Sequence, residues 1–211
     1  MVAPLTSGDV DEAAGLLSLA LYEDPIISYM LPDADTRLEL GAHNFRGLVR
    51  FGVMFGLALG TDPPLGGVLV ANPPRVDITP ETARAAGLTD RVQHLGRDAV
   101  IRQGMLMDHL EAVHRRDLPP DHWYVSIVGV LPNRQRRGVG TALFEPVLAR
   151  ADQDGLPCYL DTAQARNAAF FQSLGFEVLT ESEYEPASLM LWTCVREPRR
   201  PDGDGGRHAP R

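Results

Sequence analysis

The sequence predicts a single α/β domain, and three features predict it. The run from Tyr124 to Leu131 is apolar, rich in β-branched residues and of strand length. Pro132 and Asn133 stop it, a glycine-containing loop reaches Gly140, and Val139, Leu143, Val147 and Leu148 then recur at helical spacing. Strand-like and helical patterns alternate elsewhere, and 211 residues suffice for one sizeable core without a second.

Residues 2–5 read as a short first strand. Thr6 or Ser7 is placed to cap a helix whose Val10, Ala13, Leu17 and Leu21 share one face. That helix should end near Asp24-Pro25, because the residue before proline avoids helical geometry. Pro32 and Asp33 lead into a second helix over 35–55, with Leu38, Phe45, Leu48 and Val49 inward. Strands at 57–60 and 67–71 flank the turn Asp62-Pro63-Pro64-Leu65-Gly66. Residues 75–121 form a helical insertion, with a start at Thr79-Pro80-Glu81 and a second stretch over 102–116. A short strand at 158–162, a helix around Asn167 and strands at 177–184 and 187–195 complete a domain of residues 1–196. The tail from Glu197 to Arg211 is charged and rich in Pro and Gly, with too little apolar surface to fold.

Bulk composition removes several function classes. A net charge of −8 argues against a nucleic-acid binder, whose partner would be repelled. Cys158 and Cys194 lie in predicted strands without His or Cys at metal-ligand spacing, so both read as small buried hydrophobes and no metal site is expected. There is no long apolar stretch and no secretory leader, which predicts a cytoplasmic protein without a membrane partner. Oligomeric state stays open, a homodimer included.

The segment from Trp123 to Ala142 carries the chemistry. A strand, a glycine loop and a helix start aim unpaired backbone N–H groups and the positive helix end at one point, which suits a phosphate. Gly138 and Gly140 let the backbone approach a ligand closely. A P-loop is excluded because the chain contains no lysine, and a dinucleotide fingerprint fails where Leu143 replaces its third glycine. Gln135, Gly138 and Gly140 instead match the Q/R-x-x-G-x-G/A signature of the GCN5-related N-acetyltransferases, the GNAT superfamily. Downstream, Asn167 to Phe176 resembles that superfamily's N-x-x-F-Y-x-x-x-G-F segment. The likeness extends to a small-molecule branch that includes puromycin acetyltransferase, through Glu23-Asp24-Pro25, His122-Trp123-Tyr124-Val125, Cys158 to Thr162, and Trp192 to Pro198.

The resemblance implies a mixed, mostly antiparallel sheet with helices on both faces and acetyl-CoA between two parallel central strands. It implies that Gln135, Arg136, Arg137, Gly138, Val139, Gly140 and Thr141 hold the pyrophosphate. Backbone groups around Val128, Gly129 and Val130 meet the pantetheine arm and the acetyl carbonyl, and Asn167 and Phe170 flank the arm. Phe171 stands where family members often carry the tyrosine that protonates the leaving thiolate. The remaining acid–base candidates are Tyr124, Glu111, His114, His122 and Asp24, none of them singled out by position. The reaction expected is acetyl transfer to a primary amine of a small cationic molecule. Residues 1–40 hold eight acidic groups against Arg37, and Glu23, Asp24 and Asp33 form an acidic loop that would attract a cation. A peptide acceptor, or a CoA-binding regulatory module with little turnover, are the other readings.

Overall fold

The computed structural model describes residues 1–199, so most of the expected tail, residues 200–211, lies outside the described residues. In chain order the elements are β1 (Val2–Pro4), α1 (Val10–Ala20), α2 (Pro25–Met30), α3 (Ala34–Phe55), β2 (Leu57–Thr61) and β3 (Gly67–Asn72). There follow α4 (Pro80–Ala85), α5 (Arg91–Leu95), α6 (Arg97–Asp117), β4 (Trp123–Val130) and α7 (Val139–Asp154). The chain continues through β5 (Cys158–Thr162), α8 (Ala165–Ser173), β6 (Glu177–Tyr184) and β7 (Leu189–Arg196).

The seven strands form one sheet in the order β1-β2-β3-β4-β5-β7-β6. Only β4 and β5 run parallel; every other neighbouring pair is antiparallel. Alternation along the strands divides the core between two faces. Ala58, Val68, Val70 and Ile127 pack with α1 and α3. Leu57, Leu59, Leu69, Val125, Cys158 and Leu160 pack with α7 and α8. The far end of α7 is fastened to the sheet by Arg196, which grips Asp152 at 2.7 and 2.8 Å, and by the Trp123 indole, which donates to Asp154 at 2.9 Å.

Several local expectations need correction. Neither Thr6 nor Ser7 caps α1: Asp9 is the N-cap, and its carboxylate turns back to accept from the Thr6 N–H and hydroxyl. The stretch after α1 is no plain loop, because Asp24 caps the additional helix α2, with Pro25 at its first position. Asp33 in turn caps α3 by accepting from Asp35 N. Leu38 is 43% exposed and does not face the core. The 75–121 stretch holds three helices rather than the expected two, α5 being the addition, and α6 starts five residues before 102, at Arg97. Both cysteines are wholly buried, and burial pushes their thiols up to about 12 at Cys158 and about 11 at Cys194.

Candidate active site

The site begins with a break in the sheet. β4 and β5 pair over only two positions, Trp123 with Cys158 and Tyr124 with Tyr159, and then diverge. On its other side β4 shifts register against β3, with Val70 opposite Ile127 but Ala71 opposite Val125, so Ser126 is the extra residue of a bulge. The bulge changes which face each residue takes. Trp123 and Val125 lie on the α7 face, whereas beyond Ser126 it is Val128 and Val130 that pack there. Leu131 donates its N–H to Gly66 on the β3 side. By strand alternation Ile127 and Gly129 also face β3, and the N–H groups of Val128 and Val130 turn into the gap. Gly129 has a different use from its neighbours: a Cβ there would lie 2.8 Å from Leu17 of α1.

A cavity of about 810 Å³ fills the gap. Val128, Gly129, Val130, Gln135, Arg136, Gly138, Gly140, Thr141, Asn167, Phe170 and Phe171 line it, as do Gln164 and Arg166, which sequence reasoning missed. Arg137 and Val139 do not; Val139 packs against the core instead. Gly138 is left-handed at φ 80° and starts α7 without any side-chain cap. The first intrahelical bond runs from Ala142 N–H to the Gly138 carbonyl, so the Val139, Gly140 and Thr141 N–H groups point out of the helix start. Gln135 donates to the Val130 carbonyl at 3.1 Å, tying the loop to the strand end. At Gly140 an added Cβ would sit 3.0 Å from the Phe170 ring, so this glycine makes room for α8.

A second cavity of about 270 Å³ adjoins the first. Leu21, Val128, Asn167 and Phe171 line both. The second cavity is walled by α2, α3 and α6 and includes Asp24, Tyr124, Ser126 and Asp161. Asp161, also missed from sequence, is a carboxylate only 4% exposed. Its Oδ1 accepts from the Tyr159 hydroxyl at 2.7 Å and the Thr193 hydroxyl at 3.1 Å. Its Oδ2 faces His114 Nε2 at 2.8 Å and the Tyr124 hydroxyl at 3.4 Å. Burial first, and the Asp161 charge second, push both phenols above the usual tyrosine range. Tyr124 and Tyr159 therefore keep their protons.

The other sequence candidates are dispersed. Glu111 is exposed on α6 and pairs with Arg115; His122 is half-buried and bonds the Pro119 carbonyl; neither lines a cavity. Asp24 does line one, but it is a helix cap and also accepts from Gln164 at 2.9 Å, a stitch across the cleft. Burial raises its carboxyl above the usual range, against the pull of those hydrogen bonds. The acidic loop thus dissolves, since helix starts explain Asp24 and Asp33, and Glu23 lies exposed on the surface. Phe171 is 4% exposed and packs among Phe144, Phe170 and Phe176 while reaching both cavities.

A sheet split between its two parallel strands, a helix start with uncapped N–H groups and an adjoining, mostly apolar cavity that holds Asp161 make an arrangement suited to acyl transfer. A family model described as the Acetyltransferase (GNAT) family matches residues 93–176, the stretch that contains both halves of the split. An uncharacterized N-acetyltransferase of Schizosaccharomyces pombe is 25% identical over 199 residues, covering 90% of this chain and 80% of the relative. The structure described as histone acetyltransferase HPA2 and related acetyltransferase from Corynebacterium glutamicum superposes with a TM-score of 0.65 at 20% identity, covering 96% of this chain and 98% of its own. Polyamine N-acetyltransferase from Drosophila melanogaster gives 0.60 at 19% identity, covering 93% and 99%. Residues 93–176 thus match the GNAT acetyltransferase family, and over nearly the whole chain the fold is that of these solved acetyltransferases. Among the described residues no helix is long and apolar enough to cross a membrane.

Proposed function

We propose that the protein transfers an acetyl group from acetyl-CoA to the primary amine of a small molecule. One observation carries this reading: Leu21, Val128, Asn167 and Phe171 belong to both cavities, so a donor in the larger and an acceptor in the smaller meet there. The larger cavity suits acetyl-CoA on its own geometry. The free N–H groups at the start of α7, with Arg136 beside them, fit a pyrophosphate. The unpaired N–H groups of Val128 and Val130 fit the amides and carbonyls of the pantetheine arm. The smaller cavity favours a small molecule over a peptide, and polyamine and arylalkylamine N-acetyltransferases are among the similar structures.

The thioester supplies the acetyl group together with a thiolate that departs readily near neutral pH. That matters here because Phe171 has no proton to offer. An amine arrives as an ammonium ion, and the carboxylate best placed to receive it is Asp161. Asp161 takes the ammonium proton and His114, 19% exposed behind it, carries that proton outward. The freed nitrogen forms the C–N bond as the C–S bond breaks, its second proton leaving with the thiolate as free thiol, while the Val128 N–H is available to the carbonyl oxygen. Attraction of a cationic acceptor therefore rests on Asp161 and not on the acidic loop.

The test is calorimetry with acetyl-CoA followed by release of free thiol across a panel of primary amines. Binding with amine-dependent thiol release is expected. Binding without release from any amine would favour the regulatory module, and absence of binding would remove the acetyl-CoA site.

A further inference from the structure

The smaller cavity also contains a cation that nothing in the acetyl-transfer chemistry uses. Arg91, the first residue of α5, lines it. Its Nη1 donates to Gln103 Oε1 at 3.0 Å, and Gln103 Nε2 donates to Asn44 Oδ1 at 3.4 Å. Gln103 and Asn44 are themselves buried, 9% and 2% exposed, so the guanidinium is held from behind by a chain of amides. Its Nε and Nη2 have no partner among the described residues. Among the described residues no carboxylate approaches it within ion-pair distance, Asp24 and Asp161 included, although all three line one cavity.

The unpaired edge, its atoms shielded from solvent, has a defined chemistry. Nε and Nη2 are the two donors with which Arg75 grips the Asp121 carboxylate, at 2.7 and 2.8 Å. They form a planar fork that matches a carboxylate and leaves nothing for a simple alkylamine. Burial alone depresses this guanidinium, to about 10, with no acidic neighbour to offset it. An unpaired buried cation is expensive to maintain, and a ligand anion is the partner that repays it.

We propose that the Nε/Nη2 edge of Arg91 receives a carboxylate of the acceptor, so that the substrate is a small amino acid in which Asp161 meets the ammonium and Arg91 the carboxylate. The inference rests on the acetyl-transfer reading for the amine end and replaces a purely cationic acceptor with a zwitterionic one. Entry to the edge requires side chains to move. Ile78 and Met107, 51% and 40% exposed, line the same cavity.

The test compares amines that differ only by the carboxylate: lysine with cadaverine, phenylalanine with phenethylamine, and aminobutyrate with propylamine. The native protein should acetylate at least one carboxylated member with a KM about tenfold or more below its partner's. Arg91→Gln should raise that KM about 10- to 100-fold, leave kcat within about threefold, and leave the KM of the carboxylate-free amines unchanged. A readout independent of turnover is thermal stability. Arg91→Met, which removes an unpaired buried charge, should raise the Tm of the ligand-free protein, and the carboxylated compounds should raise the Tm of the native protein but not of Arg91→Met. Preference for carboxylate-free amines, equal KM increases for both classes, or a lower Tm in Arg91→Met would overturn the assignment. Failure of every amine to release thiol, with carboxylate-dependent Tm shifts intact, would instead sink the acetyl-transfer reading and leave the Arg91 site standing.

Discussion

Replacing Asp161 by asparagine tests the proton path with little disturbance of the fold. Three short contacts converge on its carboxylate, at 2.7, 2.8 and 3.1 Å, with a longer one from Tyr124 at 3.4 Å. Asparagine has the same shape, and the hydroxyls and the imidazole can turn or change tautomer to meet an amide head. The stability loss should be about 1 kcal/mol, or about 2–4 °C in Tm for a chain of this length. Alanine is the harsher comparison. It strips the acceptor from His114 Nε2 and leaves the wholly buried Tyr159 hydroxyl only Thr193 at 3.3 Å, costing about 1–3 kcal/mol for each orphaned donor. Activity separates the roles. Removing a general base typically lowers the rate by about 10²–10⁴, about 2.7–5.5 kcal/mol of barrier. Thiol release at saturating acetyl-CoA should show that drop in kcat for Asp161→Asn. Calorimetry should show acetyl-CoA affinity within about twofold of the native value, because Asp161 does not line the larger cavity. A folded Asp161→Asn that turns over within about threefold of the native protein refutes the assignment.

Gly140→Val should weaken acetyl-CoA binding at least tenfold, about 1.4 kcal/mol, because its Cβ alone meets the Phe170 ring at 3.0 Å and the larger side chain must displace α8 or the loop; unchanged affinity by calorimetry would remove the loop from the site. Phe171→Tyr should leave turnover unchanged or raise it and add an alkaline limb to the pH–rate profile, since the ring borders both cavities. A Tm drop of several degrees with lost activity would show that the ring edge faces only Phe144 and Phe176. Asp24→Asn should be neutral or stabilising at neutral pH, because asparagine caps α2 equally well. The Asp24 carboxyl is raised from 3.8 by burial, so the stability it confers is present below that value and is lost as pH rises through the raised one. Urea denaturation should therefore show the variant's advantage shrinking toward acid pH; an advantage that grows there contradicts the burial argument.

By itself the sequence determined what depends on near neighbours. The β4–loop–α7 unit is legible because apolar period, Pro132 and the two glycines all act within twenty residues. Gly138 and Thr141 follow from the same local pattern. What the sequence could not decide is every contact made across the sheet. Asp161 could be noticed only as a charge in the otherwise uncharged strand Cys158–Thr162. Its meaning comes from Tyr159 beside it, Thr193 on β7 and His114 on α6, which only folding brings together. The bulge at Ser126 is likewise invisible locally, because it is a mismatch between β4 and β3 and not a property of either. The acidic stretch of the first forty residues shows the converse error. Counted as charge it suggests an attracting field, but tertiary structure assigns Asp24 and Asp33 to helix starts. Only in the fold does a lone arginine, Arg91, stand in the cavity with its carboxylate-binding edge unpaired. A hydrogen bond within one turn is encoded by spacing, whereas a cavity is encoded by what several distant elements leave unfilled.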